Sequence, residues 1–133
     1  MKEFNLIIRE RSEIVKVEEA IHSINADFGL GEVKTVNLLI AVTEAVINAV
    51  IHGNKNKPGK KVEVNIKYDD KEICAKIKDE GEGFDPDKLP DPTKDENLFK
   101  ESGRGIFIIK SLVDKFEFSS DKTGTELTLI MYK

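Results

Sequence analysis

Three polar residues at helical spacing are the first candidates for chemistry in this sequence. Glu44, Asn48 and His52 follow one another at intervals of four residues, so on an α-helix they form one stripe. The residues between them are almost all apolar, and burying a carboxylate without a partner is costly. We therefore expect the stripe to face a polar cavity, although hydrogen bonds to neighbouring strands or a solvated helix edge would account for it as well.

A glycine-containing segment after a predicted strand is the second candidate. In Asp79-Glu80-Gly81-Glu82-Gly83 the alternating glycines let the backbone turn sharply and approach a ligand closely. The carboxylate of Asp79 could accept a hydrogen bond from an exocyclic amine of that ligand. An ordinary turn has the same composition, because Asp and Gly are common turn residues.

A second glycine pair lies before a predicted helix. Gly103 and Gly105 flank Arg104, and an apolar stretch predicts a helix over about residues 105–114. Free backbone N–H groups at a helix N-terminus favour phosphate, although a simple loop-to-helix junction has the same pattern.

Other sites are not supported: residues 53–61 lack the glycine spacing of a P-loop, and no Cys/His cluster offers a zinc site.

Composition predicts one globular domain over residues 1–133. Hydrophobic residues make up 39% of the chain and charged residues 35%, which is enough apolar material for a two-layer core. The 21 Lys and Arg residues against 25 Asp and Glu residues give a net charge of −4. That charge provides no general attraction to nucleic acid or to anionic lipid, so neither is expected as a partner.

Apolar patterning and cysteine usage predict the cellular compartment of the protein. The longest mostly apolar stretch, residues 36–51, is interrupted by polar residues and is shorter than the about 20 apolar residues that a bilayer requires, so we expect no membrane span. The chain opens without an apolar leader segment, and Cys74 has no second cysteine to pair with. A reducing, cytoplasmic location is therefore predicted.

Hydrophobic periodicity predicts the element order β-α-α-β-β-loop-α-β-β. The second helix, over about residues 32–53, is apolar on nearly its whole circumference and is expected to be central and buried. Consecutive strands joined by short turns pair antiparallel. The predicted fold class is therefore an α+β two-layer sandwich, with a mixed but mainly antiparallel sheet and the helices on one face.

Residues 84–102 interrupt this pattern. They are 19 residues with three prolines and six acidic side chains, and they precede the last predicted helix. Long loops inside compact domains are usually lids, binding loops or disordered insertions. The glycine pairs on both sides favour a lid.

Taken together, the three candidate segments resemble the N box and the first and second glycine boxes of the GHKL ATP-binding superfamily. They occur in the expected order, at residues 44–48, 79–83 and 103–105. The stretches 43–53 and 102–109 are especially similar to the bacterial anti-sigma factor serine kinases. The resemblance covers roughly residues 32–133 and implies the Bergerat, or histidine kinase-like ATPase, fold.

The resemblance implies a role for each matching residue. Asp79 would receive the amino group of adenine with support from Thr125, Asn48 would coordinate the Mg²⁺ that bridges the triphosphate, and Glu44 would be the catalytic general base. The glycine segments would shape the adenine pocket and line the phosphate side. The predicted nucleotide-binding residues are Asn48, His52, Asp79, Gly81, Gly83, Gly103, Arg104, Gly105 and Thr125.

The resemblance also implies partners. A kinase homodimer would use Mg·ATP to phosphorylate a serine or threonine of a STAS-type anti-anti-sigma protein, and it would sequester a sigma factor. The sequence departs from the family in its acidic, proline-rich lid, and composition identifies no sigma-binding surface. Two other interpretations are open: a nucleotide-gated regulator that binds a partner without phosphoryl transfer, and an interaction domain whose glycine segments are ordinary turns.

Overall fold

A five-stranded sheet forms one layer of the fold. The computed structural model describes residues 2–54, 57, 59–81 and 101–133, except for the side chains of His52 and of residues 101–104. The strand order is β1-β2-β3-β5-β4, and all four pairings are antiparallel, which confirms the predicted strand pairing. The elements are β1 (Lys2–Ile8), a 3₁₀ turn (Arg11–Glu13), α1 (Ile14–Phe28), α2 (Glu32–Asn48), a π-helical turn (Ala49–Gly53), β2 (Val62–Tyr68), β3 (Glu72–Lys78), α3 (Glu101–Leu112), β4 (Lys115–Asp121) and β5 (Gly124–Tyr132).

The strand registers put the predicted apolar residues on one face of the sheet. Val64 of β2 pairs with both Leu6 and Ile77, and Ile77 in turn pairs with Leu127 of β5. Because side chains alternate between the two faces of a strand, every second residue of each strand joins this layer. Its almost inaccessible members are Ile8, Val62, Val64, Ile66, Ile73, Ala75, Ile77, Leu129 and Met131.

Helix α1 contributes one apolar stripe to the core. Val17, Ile21 and Ile24 recur at intervals of three and four residues, and each is buried. The helix ends at Gly29, whose φ of 76° lies in the left-handed region and whose N–H donates to the carbonyl oxygen of Asn25 at 2.9 Å. The first helix of the predicted element order is therefore confirmed, and a glycine ends it.

Helix α2 contacts α1, α3 and the sheet, and it carries the central part of the core. Its inner side buries Leu38, Val42 and Val46. Its outer side is open, with Val33 73% exposed and Val36 48% exposed. The prediction that this helix is central and buried is therefore wrong for its outer side, because a two-layer fold covers only one side of a helix.

The helical stretch Glu32–Ile51 also meets the length and composition of a membrane-crossing helix. It has 20 residues and a mean hydropathy of 1.5 in its most apolar part. The central helix of a globular core meets the same criteria. In this protein, the packing of its inner side against the sheet accounts for much of its apolar composition.

Helix α3 begins earlier than the sequence predicts. It starts at Glu101 rather than at about residue 105, so Gly103 and Gly105 lie within the helix. A glycine costs a helix interior only about 1 kcal/mol relative to alanine, and the packing of α3 on α2 outweighs that cost. The predicted lid, residues 84–102, lies outside the described residues except for the first two residues of this helix.

Candidate functional site

The end of α2 widens into a π-helical turn. The N–H of Asn54 donates to the carbonyl oxygen of Ala49 at 2.8 Å, a bond that spans five residues rather than four. Such a turn holds an extra residue, so the regular spacing of the polar stripe stops at Asn48. The backbone of His52 lies in this turn, while its side chain is outside the described part of the structure.

Asp79 is a buried carboxylate directly after β3, with 5% of its surface exposed. Its Oδ1 atom accepts the N–H of Gly81 at 2.9 Å and that of Thr125 at 3.0 Å. Its own N–H donates to the carbonyl oxygen of Thr125 at 3.0 Å. Among the described residues no donor contacts Oδ2, so the carboxylate is held at one oxygen and can accept a hydrogen bond at the other.

Glycines surround this carboxylate because the packing leaves no space for side chains. A Cβ atom at Gly53 would overlap the Asp79 carboxylate, and one at Gly81 would overlap the carbonyl group of Gly53. A Cβ atom at Gly124 would overlap the carbonyl group of Asp79, and its φ of 138° favours glycine as well. The π-helical turn, the turn after β3 and the start of β5 can therefore approach one another only through glycine.

Asn54 joins the end of the π-helical turn to two other segments. Its Oδ1 accepts the N–H of Glu80 at 2.7 Å, its Nδ2 donates to the carbonyl oxygen of Lys61 at 2.9 Å, and only 4% of the residue is exposed. Glu80 Oε1 accepts the N–H of Lys61 at 2.6 Å, and Lys60 Nζ donates to the carbonyl oxygen of Glu80 at 2.5 Å. The turn after β3 is thereby tied to the segment that precedes β2.

The turn between β4 and β5 holds Thr125 in place. Asp121 Oδ1 accepts the hydroxyl of Thr123 at 2.5 Å and its N–H at 2.7 Å. The hydroxyl bond, followed by the backbone bond, lowers the pKa of Asp121 below its ordinary value. The Oγ atoms of Thr125 and Ser120 lie 2.9 Å apart and share a hydrogen bond. These local bonds fix the start of β5, which supplies an N–H to Asp79.

Asn48 and Gly105 are in contact where α2 packs on α3. A Cβ atom at Gly105 would lie 2.5 Å from Asn48 Nδ2, so only glycine lets the two helices come this close. Asn48 Nδ2 is inaccessible to solvent, yet it has no hydrogen-bond partner within the described ranges. A buried donor without a partner is costly, so Nδ2 can donate to an anionic ligand, while the carboxamide oxygen of the same side chain is a type of ligand that Mg²⁺ accepts. Asn48 therefore fits a metal-bound anionic ligand.

Glu44 lies one helical turn before Asn48 and is half-buried. No hydrogen bond or ion pair joins its carboxylate to another residue of the described ranges. Among the side chains that the structure describes, no three His, Cys, Asp or Glu residues gather into a metal-binding group. Asn48 and oxygens of the ligand itself would hold a metal at this site.

The structure brings the predicted site residues together in two groups. Asp79, Gly81 and Thr125 share one hydrogen-bonded cluster, and Asn48 contacts Gly105. The two groups are linked because Asn48 directly precedes the π-helical turn whose last residue packs on Asp79. The predicted residues whose contacts lie outside the described part are His52, Gly83, Gly103 and Arg104.

Three residues of this arrangement have no role in the sequence prediction: Gly53, Asn54 and Gly124. Local signals exist for them, since a Gly-Asn pair after an apolar helix and a glycine at a strand start both indicate turns. These signals cannot show that the three residues converge on the turn that contains Asp79, because that depends on contacts between distant parts of the chain.

Comparison with known proteins gives a family match and related sequences. The model of the histidine kinase-like ATPase domain matches residues 9–131. An anti-sigma F factor of Oceanobacillus iheyensis is 39% identical over 102 residues, which is 74% of this chain and 66% of that protein. A serine-protein kinase RsbW of Staphylococcus aureus is 35% identical over 101 residues, which is 70% of this chain and 62% of that protein. The chain thus spans about two thirds of the length of these relatives.

A solved structure agrees with the fold. The RsbU and RsbW domains of Rv1364c from Mycobacterium tuberculosis superpose with a TM-score of 0.69, covering 98% of this chain and 32% of that one. The two sequences are 18% identical, so this likeness concerns the fold alone. It confirms the predicted two-layer architecture of the histidine kinase-like ATPases.

Proposed function

The chain belongs to the histidine kinase-like ATPase domain family, and from that premise we propose that it is a Mg·ATP-dependent protein serine/threonine kinase of the anti-sigma factor type. Relatives named anti-sigma F factor and serine-protein kinase support this proposal. Three residues are proposed to carry the activity. Asp79 would bind the adenine base of ATP, Asn48 would hold the metal, and Glu44 would accept the proton of the attacking hydroxyl.

The geometry of Asp79 is the observation that carries the proposal. Two backbone N–H groups hold Oδ1, and Oδ2 has no described donor. A carboxylate oxygen accepts a hydrogen bond from the amino group of adenine, and it repels the carbonyl oxygen that guanine has at the equivalent position. The site is therefore proposed to select ATP over GTP.

The phosphate side of the proposed site is formed by α2 and α3. Asn48 would hold Mg²⁺ through its carboxamide oxygen, and a bound Mg²⁺ would neutralise charge on the phosphates. The first turn of α3, with Gly103 and Arg104, has N–H groups without intrahelical partners, which favour an anion. The Glu44 carboxylate, one turn from Asn48, would accept the proton of the attacking hydroxyl.

The proposed substrate is a STAS-type anti-anti-sigma protein, and the proposed second partner is a sigma factor. The sigma factor is supported by the names of the relatives, whereas the STAS protein, the homodimer and the cytoplasmic location rest on the family resemblance. The net charge of −4 agrees with partners that are proteins rather than nucleic acid.

The test combines nucleotide binding with phosphoryl transfer. Calorimetry with Mg²⁺ should show that the wild type binds ATP more tightly than GTP. The Asp79→Asn variant should lose about ten- to a hundredfold in ATP affinity, because a hydrogen bond to a charged group is lost. The Glu44→Gln variant should keep its ATP affinity and transfer labelled phosphate to a co-encoded STAS protein about 10²- to 10⁴-fold more slowly.

Each contrary result has a defined meaning. A folded wild-type protein that binds no ATP would refute the nucleotide site. Tight ATP binding without transfer to any co-encoded STAS protein would favour the nucleotide-gated regulator over the kinase. Equal transfer by the wild type and by Glu44→Gln would remove Glu44 from the role of general base.

A further inference from the structure

We propose that Asn54 is a positioning residue that sets the base selectivity of the nucleotide site by holding the turn after β3 against the end of α2. The inference rests on the proposed function, since it concerns the nucleotide that Asp79 would select. Asn54 itself does not contact the base in this arrangement. It acts on the position of the Asp79 carboxylate through two residues: Gly53, which precedes it in the chain, and Glu80, whose N–H group it accepts.

The first argument is the burial and bonding of the Asn54 side chain. Only 4% of the residue is exposed, and both ends of its amide are bonded to backbone groups of other segments, those of Glu80 and Lys61. A buried amide with its donor and its acceptor both satisfied fixes the distance between the segments that it joins.

The second argument is the position of these bonds next to Asp79. Asn54 accepts the N–H of Glu80, the residue that directly follows Asp79. The residue that precedes Asn54 is Gly53, which packs against the Asp79 carboxylate so closely that a Cβ atom would overlap it. The Asn54 amide therefore connects the two sides of the contact that confines Oδ2. If the amide is lost, the turn can move away from Gly53, and Oδ2 moves with it.

Neighbouring bonds in the same region are weaker candidates for this role. Lys60 Nζ donates to the carbonyl oxygen of Glu80, and the N–H of Lys61 donates to Glu80 Oε1, but both bonds are exposed. Water competes for exposed hydrogen bonds, whereas a partly buried bond such as the one from Glu80 to Asn54 leaves an unpaired N–H group when it is removed. The positioning effect is therefore assigned to Asn54.

The experiment measures the ratio of ATP affinity to GTP affinity by calorimetry with Mg²⁺. Asn54→Ala removes both amide bonds, and Asn54→Leu does so with a side chain of similar length, which provides a second variant if the alanine variant does not fold.

Two controls separate positioning from a general loss of stability. Asn65→Ala removes an asparagine whose Nδ2 donates to Asn5 Oδ1 on the sheet, away from the site. Ile24→Val removes a buried methyl group from α1 and lowers stability without touching the turn. Thermal unfolding of every variant is measured alongside the affinities.

The expected result is that Asn54→Ala and Asn54→Leu lower the ratio of ATP to GTP affinity about tenfold. Asn65→Ala and Ile24→Val are expected to keep the wild-type ratio, even where the unfolding temperature falls. An unchanged ratio in folded Asn54→Ala or Asn54→Leu would overturn the inference. A wild type without preference for ATP would instead refute the proposed function.

Discussion

Replacing Gly105 by alanine should disturb the metal side of the site while leaving most of the stability intact. The new Cβ atom would lie 2.5 Å from Asn48 Nδ2, 3.0 Å from Oδ1 and 3.2 Å from Cγ. Optimal contacts between heavy atoms lie at about 3.5 Å, so the carboxamide of Asn48 has to move by roughly 1 Å. The whole amide group is displaced, because all three of its atoms are too close.

The substitution is expected to change stability only slightly and Mg·ATP affinity strongly. Alanine favours the helix over glycine by about 1 kcal/mol, and overpacking a site costs about 1–3 kcal/mol, so the net loss of stability should be about 2 kcal/mol or less. Mg²⁺ demands near-ideal ligand distances, so a shift of roughly 1 Å would remove Asn48 as the proposed Mg²⁺ ligand. We expect the affinity for Mg·ATP to fall about ten- to a hundredfold.

The assay is calorimetric titration of ATP with Mg²⁺ and with a chelator. In the wild type, Mg²⁺ should raise ATP affinity, and in Gly105→Ala this enhancement should be largely absent. Gly31→Ala is the matched control, since a Cβ atom there has nothing within 4 Å. A folded Gly105→Ala variant with the wild-type enhancement would refute the argument that the contact between α2 and α3 positions Asn48.

Three further predictions concern the same fold. Gly53→Ala should lower the unfolding temperature and should also lower the ATP affinity about tenfold or more, because its Cβ atom would displace the Asp79 carboxylate. Thermal melts and calorimetry that show both quantities unchanged would contradict this. The hydrogen bond from Lys2 lowers the pKa of Asp27, so this carboxylate stabilises the fold above its unfolded pKa and loses that effect as the pH falls through the lower folded value. The difference in urea midpoint between the wild type and Asp27→Asn should therefore shrink below about pH 4, and a constant difference would contradict this. Burial raises the pKa of the Cys74 thiol, so alkylation by iodoacetamide at about pH 8 should be slower than that of free cysteine, and equal rates would contradict it.

Much of the fold could be predicted because its determinants are local. Alternating apolar residues such as Val62, Val64 and Ile66 predict a strand with one buried face, and the registers confirm it. The start of α3 could not be predicted in the same way. The sequence predicts Gly103 and Gly105 at the N-terminus of the helix, whereas both lie within it, and Gly105 lets α3 pack against Asn48.

The candidate site, too, has features that could be predicted from the sequence and features that could not. Residue type and spacing were enough to single out Asp79 and Asn48, because a carboxylate and an amide among apolar residues need partners wherever they lie. The π-helical turn could not be predicted, because the i, i+4 pattern of the sequence continues through it. The contact between Gly53, the last residue of this turn, and Asp79 could not be predicted either.

The sequence by itself therefore determined which segments are strands and helices and which polar residues are candidates for a nucleotide site. Periodicity and the cost of burying polar groups act within a few residues, so they can be inferred from the chain alone. Only the tertiary structure decided that Gly53, Gly124 and Asn54 surround the turn of Asp79. The distance between segments that are far apart in the chain depends on how whole layers pack, and no local pattern records it.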